Sequence, residues 1–303
     1  MEARHPMRVY GALIFSMVIW GFSFLAIKDV VATIPILPLS FVRFSIAALL
    51  LGGLGLARRS LRVSKRDLLL LAGLTVLSPV GYFLFETYGI SMTQASHASI
   101  LIAAIPIAVY GIAFARRQES ATWRKTAGIL LAFAGVAVVI ASSPGEEGAS
   151  LVGDLLILGA VACAATRTTL IKDALGRITP LQLTFYQFFF SLFVFGPLSA
   201  TQGYAWLGEM TPLLWAEVLF LGIGCSAIAF LAMHYALSHL TATRVAVTAN
   251  MVPMVTLLAE AILFGIAVTP MKAVGALLTI AGVVITQLRS AALKTPRLTE
   301  RGA

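Results

Sequence analysis

The sequence predicts an all-α integral membrane protein: ten transmembrane helices, arranged as two inverted five-helix repeats, with both termini cytoplasmic. Three observations predict it. Apolar residues make up 59% of the 303-residue chain and charged residues 12%, against roughly 45–50% and about 25% in soluble domains; mean hydropathy is +0.94. The second observation is that basic residues cluster on alternate loops. The third is that the chain matches itself at a fixed offset. So little charge cannot coat a soluble protein of this length, which excludes most cytosolic enzymes and every disordered reading.

A helix crossing the hydrocarbon core needs about 20 apolar residues. Such segments run over 7–28, 38–57, 68–91, 97–115 and 126–142, then over 153–172, 181–200, 212–236, 244–265 and 271–289. The first span follows a short N-terminus with no small-residue cleavage site, so it reads as retained, not as a signal peptide. Arg4 and Arg8 precede it. Arg58, Arg59, Arg62, Lys65 and Arg66 lie between spans two and three, and Arg116, Arg117, Arg124 and Lys125 between four and five. Lys172 and Arg177 follow span six, Arg244 follows span eight, and Arg289, Lys294, Arg297 and Arg301 close the chain. Of the 22 basic residues, all but Lys28, Arg43, Arg167 and Lys272 thus fall on one side. The positive-inside rule makes that side cytoplasmic and the span count even. It also accounts for the net charge of +9 without a nucleic-acid partner. Cys163 and Cys225 sit inside apolar runs with no metal-ligand spacing, so no metal or cofactor is expected.

Shifting the chain by 147 residues aligns 83–136 with 230–283, and fourteen of those 54 positions are identical. Tyr88 falls on Tyr235, Pro106 on Pro253, and Gly-x-Leu-Leu-x-x-Ala-Gly-Val recurs at 128–136 and 275–283. Ile27-Lys28-Asp29 likewise matches Ile171-Lys172-Asp173. The chain divides into a first repeat over 1–145, a second over 146–290 and a basic cytoplasmic tail over 291–303, with the polar 142–154 connector at the midpoint. Five spans is an odd number, so the second copy enters the membrane from the opposite side. Inverted repeats are an architecture of secondary transporters, with substrate bound near midplane where helices are interrupted.

Candidate site residues follow. Pro106 and Pro253 stand near the middle of spans four and nine, where a proline kinks a helix. Ser78-Pro79 and the Gly222/Gly224 pair interrupt spans three and eight. Trp20, Tyr82, Tyr110 and Asn250 lie near midplane and suit an amphipathic solute. Tyr88 and Tyr235, as repeat equivalents, form a candidate gate pair. Intramembrane ionisable groups are candidates by default: Arg43, Glu86 and Glu260 in the outer halves of their spans, Arg167 and His234 in the inner halves. Arg43 with Glu86 reads either as an ion pair pinning span two to span three, or with Glu86 free as an ammonium or proton site. Interfacial or packing roles remain the ordinary alternatives for the tyrosines, for Glu260 and for His234. Gly128, Gly135, Gly275 and Gly282 read as close-packing positions on peripheral spans five and ten.

These residues also carry a resemblance. Trp20-Gly21-Phe22-Ser23-Phe24 in span one, Pro38-Leu39 with Arg43-Phe44 in span two, and Tyr88, Ala95-Ser96, Ala98-Ser99 and Pro106 around spans three and four follow one order, with Glu119 beyond. The chain resembles the EamA-type branch of the drug/metabolite transporter superfamily over nearly its whole length, and within it the YddG-type bacterial exporters of amino acids, aromatic ones included. One departure is Ile266, which stands where the second half would repeat Glu119. The resemblance implies a bacterial inner-membrane exporter, a monomer, with a cavity between spans 1, 3, 4 and 6, 8, 9, taking an amino acid or similar metabolite, with proton coupling open. A multidrug transporter or an importer on the same scaffold is the alternative, and an intramembrane enzyme or receptor the non-transport one. The sequence contains no phosphate-binding Gly-x-x-x-x-Gly-Lys-Ser/Thr loop and no hydrolase motif. The expectation is therefore a carrier that is not an enzyme and is not driven directly by ATP.

Overall fold

The computed structural model describes residues 6–92, 101–102, 104–141, 151–264 and 269–287. The first half contributes α1 (Pro6–Val30), α2 (Ile36–Ala57), α3 (Lys65–Thr75), α4 (Tyr82–Met92), α5 (Ile105–Ala115) and α6 (Trp123–Ala141). The second contributes α7 (Leu151–Ala174), α8 (Pro180–Ala200), α9 (Pro212–Leu219), α10 (Phe230–His239), α11 (Ala242–Ala249), α12 (Met251–Phe264) and α13 (Pro270–Gln287). Wide helical turns over Val76–Gly81 and Phe220–Ala229 join α3 to α4 and α9 to α10. Among the described residues there is no strand. Six stretches of the described residues are long and apolar enough to cross a bilayer: Met7–Ile27, Ile36–Ala57, Lys65–Glu86, Leu151–Ala174, Pro180–Ala200 and Pro212–His239. Large side chains such as Leu49, Leu69 and Ile262 point outward, exposed on surfaces that hydrocarbon would cover.

Local chemistry sets the helix ends. Ser64, Thr179, Thr211 and Thr241 each accept a backbone N–H at a helix start, and Thr179 with Gln182 forms a full capping box. At the far ends of α2 and α5 the chain turns through Arg59 (φ 50°) and Arg117 (φ 57°). There the Ser60 N–H reaches Gly55 O and the Gln118 N–H reaches Ala113 O, both at 2.9 Å, closing the two helices.

Elements of one half pack on elements of the other. α1 lies against α10 and α12, while α7 lies against α4 and α5; α2 pairs with α8, and α6 with α13. In lipid the hydrophobic effect does not drive helices together, so association depends on close van der Waals contact. Glycines provide it at the α6–α13 seam. A Cβ on Gly135 would come 2.6 Å from Gly275 O, and one on Gly282 would come 2.5 Å from Gly128 O. The contacts are reciprocal, and the pairs 128/282 and 135/275 run antiparallel. The α2–α8 pair behaves alike: a Cβ on Gly52 would meet the Phe185 ring at 2.9 Å, and one on Gly196 would meet Phe41 at 3.3 Å. Phe44 and Phe188, both fully buried, face each other across that pair with ring centroids 5.1 Å apart.

The matched prolines act differently from the expected mid-helix kinks. Pro106 occupies the first turn of α5, and Pro253 is the third residue of α12, just past a break at Asn250. A first-turn proline has no helical partner to lose for its missing N–H, so each span is interrupted before its proline instead of bending at it. The side chains of Pro253 and Glu260 lie outside the described residues.

Candidate functional site

The centre of the molecule is built around the two wide turns. Ser78 leaves helical geometry there (φ −161°, ψ 132°), and Pro79 follows it through a cis peptide bond. A widened turn interrupts the regular i→i+4 bonding, and such bulges concentrate at functional sites. In Phe220–Ala229 the Leu221 carbonyl is taken by the Ser226 hydroxyl at 3.0 Å. The Cys225 carbonyl accepts from Trp20 Nε1 at 3.1 Å, and the Ala229 carbonyl from the Ser16 hydroxyl at 2.9 Å. Gly21 gives its carbonyl to Thr256 of α12 at 2.9 Å. Thus α1 is held by polar bonds on both second-half neighbours, and the Trp20 and Phe230 rings meet edge to face, 4.9 Å between centroids.

Two arginines flank this centre, both almost fully buried. Arg43 donates from Nε to Ser226 Oγ at 3.0 Å, and its guanidinium carbon lies 5.6 Å from the Phe44 ring centre and 5.7 Å from that of Phe83. The Glu86 carboxylate is within electrostatic reach of Arg43 but accepts its hydrogen bond from the Tyr82 hydroxyl, at 2.7 Å. Of the two readings open for Glu86, the direct ion pair with Arg43 does not form, and Tyr82 is the carboxylate's bonded partner.

Arg167, 4% exposed, has different company. It donates to Gln187 Oε1 and, at 3.2 Å, contacts His234 Nε2. The Thr184 hydroxyl donates to Pro180 O at 2.7 Å, so at 2.8 Å it accepts from His234 Nδ1. That order leaves the Nε2 lone pair facing the guanidinium, and the ring is neutral. All of Arg167's partners are neutral; none of the ion pairs among the described residues includes it. Arg167 Nε and Gln187 Nε2 are buried with no hydrogen-bond acceptor. A cation within a membrane helix costs about 2.5–3.5 kcal/mol on insertion scales, and among the described residues no carboxylate pairs with it.

The remaining expected residues divide. Asn250 sits at the break between α11 and α12, 6% exposed, with Nδ2 lacking an acceptor. Tyr110 is engaged elsewhere: its hydroxyl accepts the Thr122 N–H at 3.3 Å and lies 3.2 Å from Thr126 Oγ1, fastening α5 to the start of α6. Tyr88 is half exposed, and the Tyr235 ring lies tilted against that of His239, 4.6 Å between centroids. Glu119, quoted for the resemblance, bonds Lys125 Nζ at 2.8 Å and the Thr243 N–H at 3.1 Å, so it joins the α5–α6 loop to the first turn of α11. Nearby, Arg116 pairs with Asp173 at 2.7 Å. Sequence reasoning missed Gln187, Thr184 and Ser226. The one available signal was a lone amide inside the aromatic run 185–190. Together the centre offers aromatic surface at Trp20 and Phe230, unpaired donors at Asn250 and Gln187, and two cations.

Comparison with known proteins reports on the same chain. The model of the EamA-like transporter family matches residues 7–141 and 151–288, one copy on each half. An uncharacterized transporter of Archaeoglobus fulgidus is 30% identical over 279 residues, covering 90% of this chain and 95% of its own. A protein of Streptantibioticus cattleyicolor described as a "probable terminal-alkyne amino-acid exporter" is 27% identical, covering 92% and 93%. A solved crystal structure 16% identical shares the fold, with a TM-score of 0.79 over 92% of this chain and 96% of that one.

Proposed function

The chain belongs to the EamA-like transporter family, a multi-pass membrane protein, and on that premise we propose that it exports small amphipathic metabolites by alternating access. Amino acids, aromatic ones included, are the substrate class the site suits best. The observation that carries this reading is the reciprocity of the inter-half contacts. Gly135 meets Gly275 as Gly282 meets Gly128, and Gly52 meets Phe185 as Gly196 meets Phe41. An interface in which i contacts j and the equivalent of i contacts the equivalent of j has a local twofold axis. Because both helix pairs run antiparallel, that axis is perpendicular to the helices and lies in the membrane plane. Two halves so related can exchange conformations, and the exchange turns an inward-open carrier into an outward-open one.

The broken centre supplies the binding chemistry. Trp20 and Phe230 offer aromatic faces, Asn250 an unused amide, and the Tyr82–Glu86 pair an acceptor for an ammonium group. On this reading the chain makes ten crossings with both ends in the cytoplasm of a bacterial inner membrane, and functions as a monomer of the YddG type. The amino-acid relative supports the substrate class. Purified protein in sealed liposomes preloaded with labelled amino acids and cationic drugs tests it. Protein-dependent release of phenylalanine or another amino acid is expected. Release of the drugs alone would replace the assignment with a multidrug carrier, and no flux from folded protein would overturn transport itself.

A further inference from the structure

In the cluster of Arg167, Gln187, His234 and Thr184 two buried donors, Arg167 Nε and Gln187 Nε2, have no acceptor. Arg167 and His234 come from α7 and α10, and Gln187 and Thr184 from α8, so three helices of the second half meet there. Gln187 is 1% exposed and His234 fully buried. His234 spends both ring nitrogens inside the cluster, and Thr184 spends its proton on Pro180 O. Gln187 has turned its carbonyl to the arginine, which leaves its amide N–H without an acceptor, beside an Arg167 Nε that also lacks one. Unused donors on neighbouring buried groups, one of them cationic, call for an acceptor carrying negative charge. A carboxylate has two oxygens, one to accept from Arg167 Nε and one from Gln187 Nε2, as charge-assisted bonds. The route to it is aromatic: Trp20 touches Phe230, and Phe230 lies 6.0 Å from the His234 ring, centroid to centroid.

We propose that Arg167 and Gln187 form the docking point for the carboxylate of the transported solute, with its apolar part against Phe230 and Trp20. His234 and Thr184 are positioning residues that hold the guanidinium and leave its Nε edge open. This inference rests on the transport reading and gives that site a ligand chemistry.

Three small probes separate the contributions: 3-phenylpropionate carries the carboxylate alone, phenethylamine the ammonium alone, and sodium chloride an inorganic anion. Thermal unfolding of the purified full-length protein is followed with each probe. The expected result is stabilisation by 3-phenylpropionate and not by phenethylamine, unchanged when the sodium chloride concentration is varied. Arg167→Gln should abolish that stabilisation, and Gln187→Met should weaken the apparent affinity severalfold. In liposomes, Arg167→Gln should raise the half-saturating phenylalanine concentration at least tenfold. Should Arg167→Gln fail to fold, the wild-type probe pattern and Gln187→Met decide. Equal stabilisation by phenethylamine, or by chloride in place of the carboxylate, would overturn the inference. So would a 3-phenylpropionate effect that survives in Arg167→Gln. Failure of the wild type to move any amino acid would instead strike the transport reading, since the unfolding measurement reports on the subsite without flux.

Discussion

The α6–α13 seam and the centre of the molecule are built on the same internal repeat and use it in opposite ways. At the seam the repeat is obeyed residue for residue: glycine meets backbone, and its equivalent returns the contact. At the centre the apolar frame still obeys it. Phe44 and Phe188 are 144 residues apart and touch, as the reciprocal pairs Gly52/Gly196 and Phe41/Phe185 require. The polar residues break it. One step before Phe44 stands Arg43, and one step before Phe188 stands Gln187; 144 residues before Arg167 stands Ser23. Close backbone contact has one geometric solution, and both copies keep it. On the proposed transport reading this difference has a reason: a ligand has different ends, and the groups that would meet it need not match between the halves.

Substitutions at the seam should do the most damage. Leu at Gly282 must displace the α6 backbone beside Ala132 and Gly128, and overpacking of this kind costs about 3 kcal/mol or more where nothing can yield. Gly135→Leu should do matching harm. Yield of monodisperse protein and its unfolding temperature measure both, and unequal effects would break the symmetry of the seam.

The two arginines sharpen the comparison. Arg43→Met removes the bond to Ser226 and the nearby cation from Glu86, for a loss of about 1–3 kcal/mol. Arg167→Met removes a cation whose partners among the described residues are neutral. The desolvation cost of a buried ion, several kcal/mol, is removed with it and offsets the donors that Gln187 Oε1 and His234 Nε2 lose. The unfolding temperature of Arg167→Met should therefore match or exceed that of the wild type, while amino-acid flux falls at least tenfold. Destabilisation equal to that of Arg43→Met would mean that the two sites are both structural. Trp20→Phe belongs below these: it keeps the aromatic contact with Phe230 and gives up the bond to Cys225 O. Its expected cost is about 1 kcal/mol, read by the same unfolding measurement.

How much of this could be read in advance depends on whether the cause was local. Run length anticipated the six described stretches that are long and apolar enough to cross a bilayer, since the bilayer thickness fixes it. Gly128, Gly135, Gly275 and Gly282 announced the seam because small residues two turns apart have one common use in membrane helices. Ser78-Pro79 marked the break in span three, since a proline cannot continue the ladder. Pro106 was misplaced for a related reason: the sequence shows a proline inside an apolar run but not that the helix restarts just before it. Gln187 and Ser226 could not be found, because their importance lies in which arginine each faces. Tyr110 looked equivalent to Tyr82 by depth and type, yet its hydroxyl is spent on the Thr122–Thr126 turn.

The smallest expected effect lies at a helix end, where the repeat is kept in the backbone and broken in the side chain. Arg59 turns the chain out of α2 with φ 50°, and 144 residues later Gly203 turns it out of α8 with φ 71°. A left-handed conformation costs a non-glycine residue about 1–2 kcal/mol, while glycine gives back about 0.5–1 kcal/mol through its extra freedom in the unfolded chain. Arg59→Gly should therefore raise stability by about 0.5 kcal/mol net, seen as a small upward shift in unfolding temperature. The arginine persists for another reason: it stands in the basic cluster from Arg58 to Arg66, on the side that the positive-inside rule assigns to the cytoplasm. Gly203→Arg should fail on both counts, adding strain and putting a cation on the opposite face. If Arg59→Gly and Gly203→Arg shift stability by the same amount in the same direction, the two helix ends are not equivalent and the repeat stops short of them.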